Sequence, residues 1–218
     1  MTYKKYLAEF IGTFFLVFVG NGAIIINALS NNSIGHIGVA LAFGFIIFIM
    51  IFAFGDISGA HFNPSVTIAF YISGKFKIKD VVPYIISQLL GALAASILLN
   101  VMFGKASSSA ISLPALEISK EAVPISLVLE AIFTCLLIFV IMSVRNHPKV
   151  ETALAGLVIG LTVFLGALVA GPISSGSFNP VRSLAPAIVS SDYRYIWIYI
   201  LAPMVGACLG VGLYLLED

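Results

Sequence analysis

Two Asn-Pro pairs and one arginine set the chemistry this chain can do. That chemistry is hydrogen bonding to an uncharged molecule rather than bond making. Asn63-Pro64-Ser65 closes a stretch that begins at Gly55, and Asn179-Pro180-Val181 closes one that begins at Gly171, with Arg182 directly after it. Aligned on Asn63 and Asn179, Ile57 matches Ile173, Ser58 matches Ser174 and Phe62 matches Phe178. An Asn suits a helix N-cap and a Pro the first helical position, so a short helix is predicted to start at each pair. Before each Asn, the small residues Gly55, Ser58, Gly59 and Ala60, and Gly171, Ser174, Ser175, Gly176 and Ser177, predict extended backbone. Its carbonyls, from Gly59, Ala60, His61, Ser175, Gly176 and Ser177, would replace lost hydration along a narrow lumen. Such irregular backbone is tolerated at membrane depth only where it is buried in protein or lines a water-filled path.

Arg182 stands in an apolar stretch with no acid within four residues. A cation near the bilayer centre costs about 2.5–3.5 kcal/mol on insertion scales, so its expected role is that of a donor and cation repeller at a constriction. Glu9 and Glu130 lie at matching positions in two apolar helices. They are read either as proton-pathway acids or as structural acceptors for loop N–H groups, and the lack of a second acid or His one turn away favours the structural reading. His61 lacks the partners a metal site needs and is read as lining or bracing the loop. His36 and His147 lie near span ends, and Asp56 at a mouth. Cys135 and Cys208 fall inside apolar spans, without clustered His or acids, and read as packing residues. No nucleophile-base-acid set, phosphate loop, nucleotide motif or basic tract is present, so no enzyme, cofactor, metal or nucleic-acid role is expected.

The elements that position these residues are membrane helices. Sixty per cent of the 218 residues are hydrophobic and ten per cent charged. Charge-free runs of about 20 residues predict six spans, at 7–29, 34–54, 81–103, 123–144, 152–170 and 195–216. The shorter apolar stretches 63–73 and 179–189 predict half-helices. Lys4, Lys5, Lys75, Lys77, Lys79, Arg145 and Lys149 then fall on one side, and Lys105, Lys120 and Arg194 on the other. This bias predicts cytoplasmic termini.

The chain repeats itself. The segment around Glu9 resembles that around Glu130, and Tyr84–Ala92 resembles Tyr199–Ala207. Repeats 1–103 and 122–218, joined by the Ser- and Ala-rich linker 104–121, are expected to form a single domain. Each has three spans, an odd number, so the second enters the membrane from the opposite side. Small residues recur at four-residue spacing in Gly156/Gly160, Gly206/Gly210 and Gly91/Ala95. They are read as close crossings within the bundle, with a dimer face as the alternative. Two half-helices inserted from opposite faces point their N-termini at one another. Each end carries roughly +0.5 charge, a field that opposes cations and leaves donors for neutral molecules.

With these segments in view, the sequence resembles the aquaporin (major intrinsic protein) family over nearly its whole length. The resemblance rests on the paired loops Ser-Gly-Ala-His-Phe-Asn-Pro and Ser-Gly-Ser-Phe-Asn-Pro-Val-Arg-Ser, the two helix glutamates and the repeat. It implies an all-α membrane protein, an hourglass of six spans and two re-entrant half-helices, assembled as a homotetramer in the plasma membrane. It also implies a four-residue selectivity filter, here Phe43, Ala167, Gly176 and Arg182. Ala167 stands where strict water channels typically have His, and Gly176 where they often have Cys, so a wider opening is expected. Ser65 and Val181 replace the usual Ala of the Asn-Pro-Ala motifs, as in plant nodulin-26-like channels. The expected function is passive passage of water and small uncharged solutes such as glycerol, urea and undissociated metalloid acids. The alternative is a coupled secondary transporter using Glu9 and Glu130.

Overall fold

The computed structural model describes residues 3–117, 119–146 and 151–216. His147 and Lys149 lie outside the described residues. Among those described there are eight α-helices and no strand. They are α1 (Tyr3–Leu29), α2 (Gly35–Ser58), α3 (Pro64–Ile72), α4 (Ile78–Phe103), α5 (Ala122–Asn146), α6 (Thr152–Ser174), α7 (Pro180–Ser190) and α8 (Ile196–Tyr214). The six long helices are long and apolar enough to cross a membrane. The 9 residues of α3 and 11 of α7 reach only about 14 and 17 Å at 1.5 Å per residue. Each half of the chain thus runs long, long, short, long.

Four spans extend three or four residues past their expected ends. Helices α1 and α4 start earlier because charges in their first turns are paired. Tyr6 donates to Asp80 at 2.8 Å, and Lys5 sits 2.7 Å from the same carboxylate. Helices α2 and α6 run on to Ser58 and Ser174 rather than stopping at 54 and 170. Gly55, Ser58, Gly171 and Ser174, expected in extended backbone, are therefore helical. Each helix is closed by a left-handed residue: Gly59, with φ +86°, donates to Gly55 O, and Ser175, with φ +67°, donates to Gly171 O. Pro172 sits inside α6 and has no N–H for the carbonyl of Leu168. His36 Nε2 donates to that carbonyl at 2.7 Å, so the helix continues without an orphaned acceptor.

The glycine pairs serve crossings within the chain. A Cβ added to Gly160 would lie 2.5 Å from Gly44 O, where α2 meets α6. One on Gly206 would lie 2.3 Å from Ala131 O and one on Gly210 2.6 Å from Cys135 O, where α5 meets α8. Gly91 would meet Phe10 O of α1 at 2.2 Å. Backbones in such contact leave no room for a methyl group, and they bring the long helices close around α3 and α7. The linker folds back on the second loop: Ala115 N–H donates to Ile173 O at 2.9 Å, and Leu113 exchanges two 3.0 Å bonds with the Ser175 hydroxyl.

Candidate functional site: a lumen between two capped half-helices

Asn63 and Asn179 cap α3 and α7. Asn63 Oδ1 accepts from Ser65 N–H at 2.9 Å, and Asn179 Oδ1 from Val181 N–H at 3.2 Å, with Pro64 and Pro180 opening the helices. The two amides also cross over. Asn63 Nδ2 donates to Phe178 O at 2.7 Å, and Asn179 Nδ2 donates to Phe62 O at 2.9 Å. Each carboxamide carries two N–H groups, so one holds the opposite loop and one is left for the lumen that both Asn residues line. Ser65 and Val181 are buried in the wall behind them, at 0% and 3% exposure, and their side chains contribute no lining to either lumen cavity.

The loops are not extended. Gly59, Ala60 and Phe62 have φ of +86°, +50° and +51°, and Ser175, Gly176 and Phe178 have +67°, +51° and +53°. The same three positions are left-handed in both halves. For a non-glycine residue this region costs about 1–2 kcal/mol. The buried carboxylates offset it. Glu9 accepts from the N–H groups of His61 (2.9 Å) and Phe62 (2.7 Å), the hydroxyl of Ser58 (2.7 Å) and the amide of Gln88 (2.8 Å). Glu130 accepts from the N–H groups of Ser177 (2.9 Å) and Phe178 (2.7 Å) and the hydroxyl of Ser174 (2.9 Å). A bond to a charged group contributes about 1.5–3 kcal/mol, more than one left-handed residue costs.

The loops differ at the position two before each Asn. Thr67 gives its hydroxyl proton to Asn63 O, so His61 Nδ1, 3.1 Å from the Thr67 oxygen, is the donor of that pair. The imidazole stacks on Phe70, with ring centroids 4.7 Å apart. In the second half Ser177 and Ser183 take the corresponding places, 2.5 Å apart.

On the side where α1 begins and α8 ends, Gly59, Ala60, His61 and Ser177 line a cavity with the Asn pair, walled by apolar side chains such as Ile47, Ile159 and Val163. Arg145, at the end of α5, also lines it. Its guanidinium donates to Gly59 O and lies 5.5 Å from the Phe70 ring centre. In the sequence Arg145 stands out only in the charge bias, and no local signal marks its reach to Gly59.

On the linker side, Phe43, Ala167, Ser175, Gly176 and Arg182 line a second cavity with His36 and residues of the linker. The Arg182 guanidinium lies 4.9 Å from the centre of the Phe43 ring. Gly20 makes room for that ring, since a Cβ there would sit 2.1 Å from it. Gly176 approaches α6 closely: its Cβ position is 3.2 Å from Ala167 Cα. Phe43 and Arg182 thus make one wall, and the two small residues sit together in another. Arg182 is 1% exposed, and among the described residues no carboxylate lies within ion-pair reach of it. Nη1 donates to Ser112, while Nε and Nη2 have no protein partner. In the sequence Ser112 is one residue of the Ser- and Ala-rich linker, with no motif around it.

A family model described as "Major intrinsic protein" matches residues 1–214. The chain is 44% identical to "Aquaporin NIP1-1" of Zea mays over 97% of its own length and 73% of that relative. It is 41% identical to "Probable aquaporin NIP4-2" of Arabidopsis thaliana over the same shares. Among solved structures, the aquaglyceroporin from Plasmodium falciparum superposes with a TM-score of 0.88 at 25% identity, covering 98% of this chain and 96% of that one.

Proposed function

We propose a mechanism for this chain, which belongs to the major intrinsic protein (aquaporin) family, starting from what that membership establishes: it is a passive, multi-pass membrane channel for water and small solutes and not an enzyme. In the mechanism, an uncharged molecule enters on the linker side and lies against the apolar Phe43 ring while the free N–H groups of Arg182 hydrogen-bond its oxygen. It then passes the Asn63–Asn179 pair in single file. Ala167 and Gly176 leave space beside Arg182 that admits glycerol, urea or an undissociated metalloid acid as well as water. Cations and protons are excluded by the fixed charge of Arg182 and by the two half-helix N-termini. The whole chain acts as one channel domain of two inverted repeats, assembled as a homotetramer in the plasma membrane with cytoplasmic termini.

The observation that carries this reading is the reciprocal Asn-to-Phe carbonyl pair, which holds two positive helix ends together across one lumen. The carboxylates of Glu9 and Glu130 are engaged by loop donors and line neither lumen cavity, which weighs against a coupled transporter. Proteoliposome swelling tests the reading. Glycerol and urea flux is expected to rise in proportion to concentration through the millimolar range without an ion gradient. Accumulation driven by such a gradient overturns it.

The filter assignment carries its own prediction. Ala167→His places an imidazole opposite Arg182. It is expected to lower glycerol flux about tenfold and water flux less than about threefold, since pore width discriminates by size. Equal loss of both in stopped-flow measurements removes Ala167 from the filter.

A further inference from the structure

Three serines connect Arg182 to the second Asn-Pro loop. Arg182 Nη1 lies 2.5 Å from Ser112 Oγ, which lies 2.7 Å from Ser183 Oγ, which lies 2.5 Å from Ser177 Oγ, which lies 3.0 Å from Asn179 O. Ser112, Ser183 and Ser177 are buried, at 2%, 0% and 8% exposure. Each hydroxyl has a single proton. A carbonyl can only accept, so Ser177 donates to Asn179 O and must accept from Ser183. Ser183 must then accept from Ser112, which leaves the Ser112 oxygen to accept from the guanidinium. Both ends fix the chain, and every bond has one direction.

Among the described residues, the other half of the molecule has no such connection. Thr67, the counterpart of Ser183, accepts from His61 and from Gln88, and Gln88 leads on to Glu9 rather than to a cation. The linker is held to the second loop independently, by the Leu113–Ser175 pair. Ser112 is therefore not needed to dock the linker. Its hydroxyl meets a guanidinium edge whose other two nitrogens have no protein partner.

We propose that Ser112 is a positioning residue of the linker-side filter: it fixes the plane of the Arg182 guanidinium through a one-way row of hydroxyls anchored on the Asn179 carbonyl. With Nη1 tied back, Nε and Nη2, buried and without a protein partner among the described residues, are the donors left for a passing solute. Without the tie, the guanidinium turns about its side-chain torsions and the gap beside Ala167 and Gly176 varies. This inference rests on the channel reading above.

Glycerol and water permeabilities measured by stopped flow in proteoliposomes test it. Ser112→Ala is expected to raise the glycerol-to-water ratio about three- to tenfold, the scale of one charge-assisted hydrogen bond partly regained from solvent. Ser112→Thr, which keeps the hydroxyl, is expected to stay within about twofold of the parent. In an Arg182→Ala background, Ser112→Ala is expected to add nothing further, because the group it positions is gone. An unchanged ratio in Ser112→Ala overturns the proposal, and so does an equal change with Arg182 absent, which marks a merely structural serine. Should Ser112→Ala fail to insert, Ser183→Ala removes the next hydroxyl and must shift the ratio in the same direction, or the proposal fails. A parent protein that conducts neither solute refutes the channel reading itself, a result distinct from these.

Discussion

Arg182→Ala is expected to make the channel leak small monovalent cations while raising glycerol and urea flux. Two physical changes combine. A fixed charge buried at 1% exposure disappears from a site where, among the described residues, no carboxylate lies in ion-pair reach, so its field acts on the lumen with only the more distant Glu130 opposing it. Two unit charges 4 Å apart at an effective dielectric of about 20 repel by about 4 kcal/mol, which sets an upper scale of about a thousandfold in rate. The half-helix ends remain, so the variant keeps part of its barrier and a cation flux increase of about ten- to a hundredfold is expected. The guanidinium also forms one wall with Phe43, 4.9 Å from its ring centre, and its removal opens the gap beside Ala167 and Gly176. Arg182→Lys separates the two effects. It keeps the charge but not the flat fork, so it is expected to retain cation exclusion with an altered glycerol-to-urea ratio. Radiotracer sodium uptake and solute swelling on the same vesicles check both. An Arg182→Ala profile identical to the parent in solutes and ions removes Arg182 from the filter.

How the sequence and the structure divide this information follows from the range over which each signal acts. Apolar runs and Asn-Pro caps are local. They specified six spans, two short helices and the residues at which α3 and α7 begin. The charge-free window was too strict at α1 and α4, where Lys5, Tyr6 and Asp80 satisfy one another across two helices. It also stopped α2 and α6 early, because Gly55, Gly171 and Pro172 read as breakers, and at α6 the partner that saves the helix, His36, lies far away in sequence. Left-handed backbone at Phe62 and Phe178 was illegible for a related reason. A bulky residue is seldom found there, and only the carboxylates from α1 and α5 make the conformation worth holding. Ser112 and Arg145 had no periodicity or motif to mark them. Their significance comes from what the fold sets beside them, the Arg182 guanidinium and the Gly59 carbonyl. The matching of Glu9 with Glu130 was visible, but the inequality of their surroundings was not.

That inequality has a measurable consequence: Glu9→Gln is expected to destabilise the protein more than Glu130→Gln. An amide replaces one acceptor oxygen by a donor NH2. At Glu9 both carboxylate oxygens receive two bonds, Oε1 from Ser58 and His61 and Oε2 from Phe62 and Gln88. Turned either way, the amide replaces two of the four bonds: its NH2 opposes one fixed N–H, that of His61 or Phe62, and forces the neighbouring Ser58 hydroxyl or Gln88 amide to turn and accept. At Glu130 the Oε2 side receives only the Phe178 N–H, because Pro203 stands where the repeat would place a counterpart of Gln88. The amide can turn its NH2 there and oppose one donor. A buried donor left unsatisfied costs about 1–3 kcal/mol and a partner forced to turn about 0.5–1.5 kcal/mol more, so the losses are about 1.5–4.5 kcal/mol at Glu9 and about 1–3 kcal/mol at Glu130. Gln88→Leu in the Glu9→Gln background removes the group that must turn and leaves the Phe62 N–H facing that side of the amide. It should recover part of the loss, a coupling that independent sites would not show. Thermal unfolding in detergent, followed by the temperature at which the protein aggregates, ranks the three variants. Equal losses at the two glutamates, or no recovery with Gln88→Leu, would show that the carboxylates are not held by the donors seen here and that the loops owe their left-handed turns to packing of Phe62 and Phe178 alone.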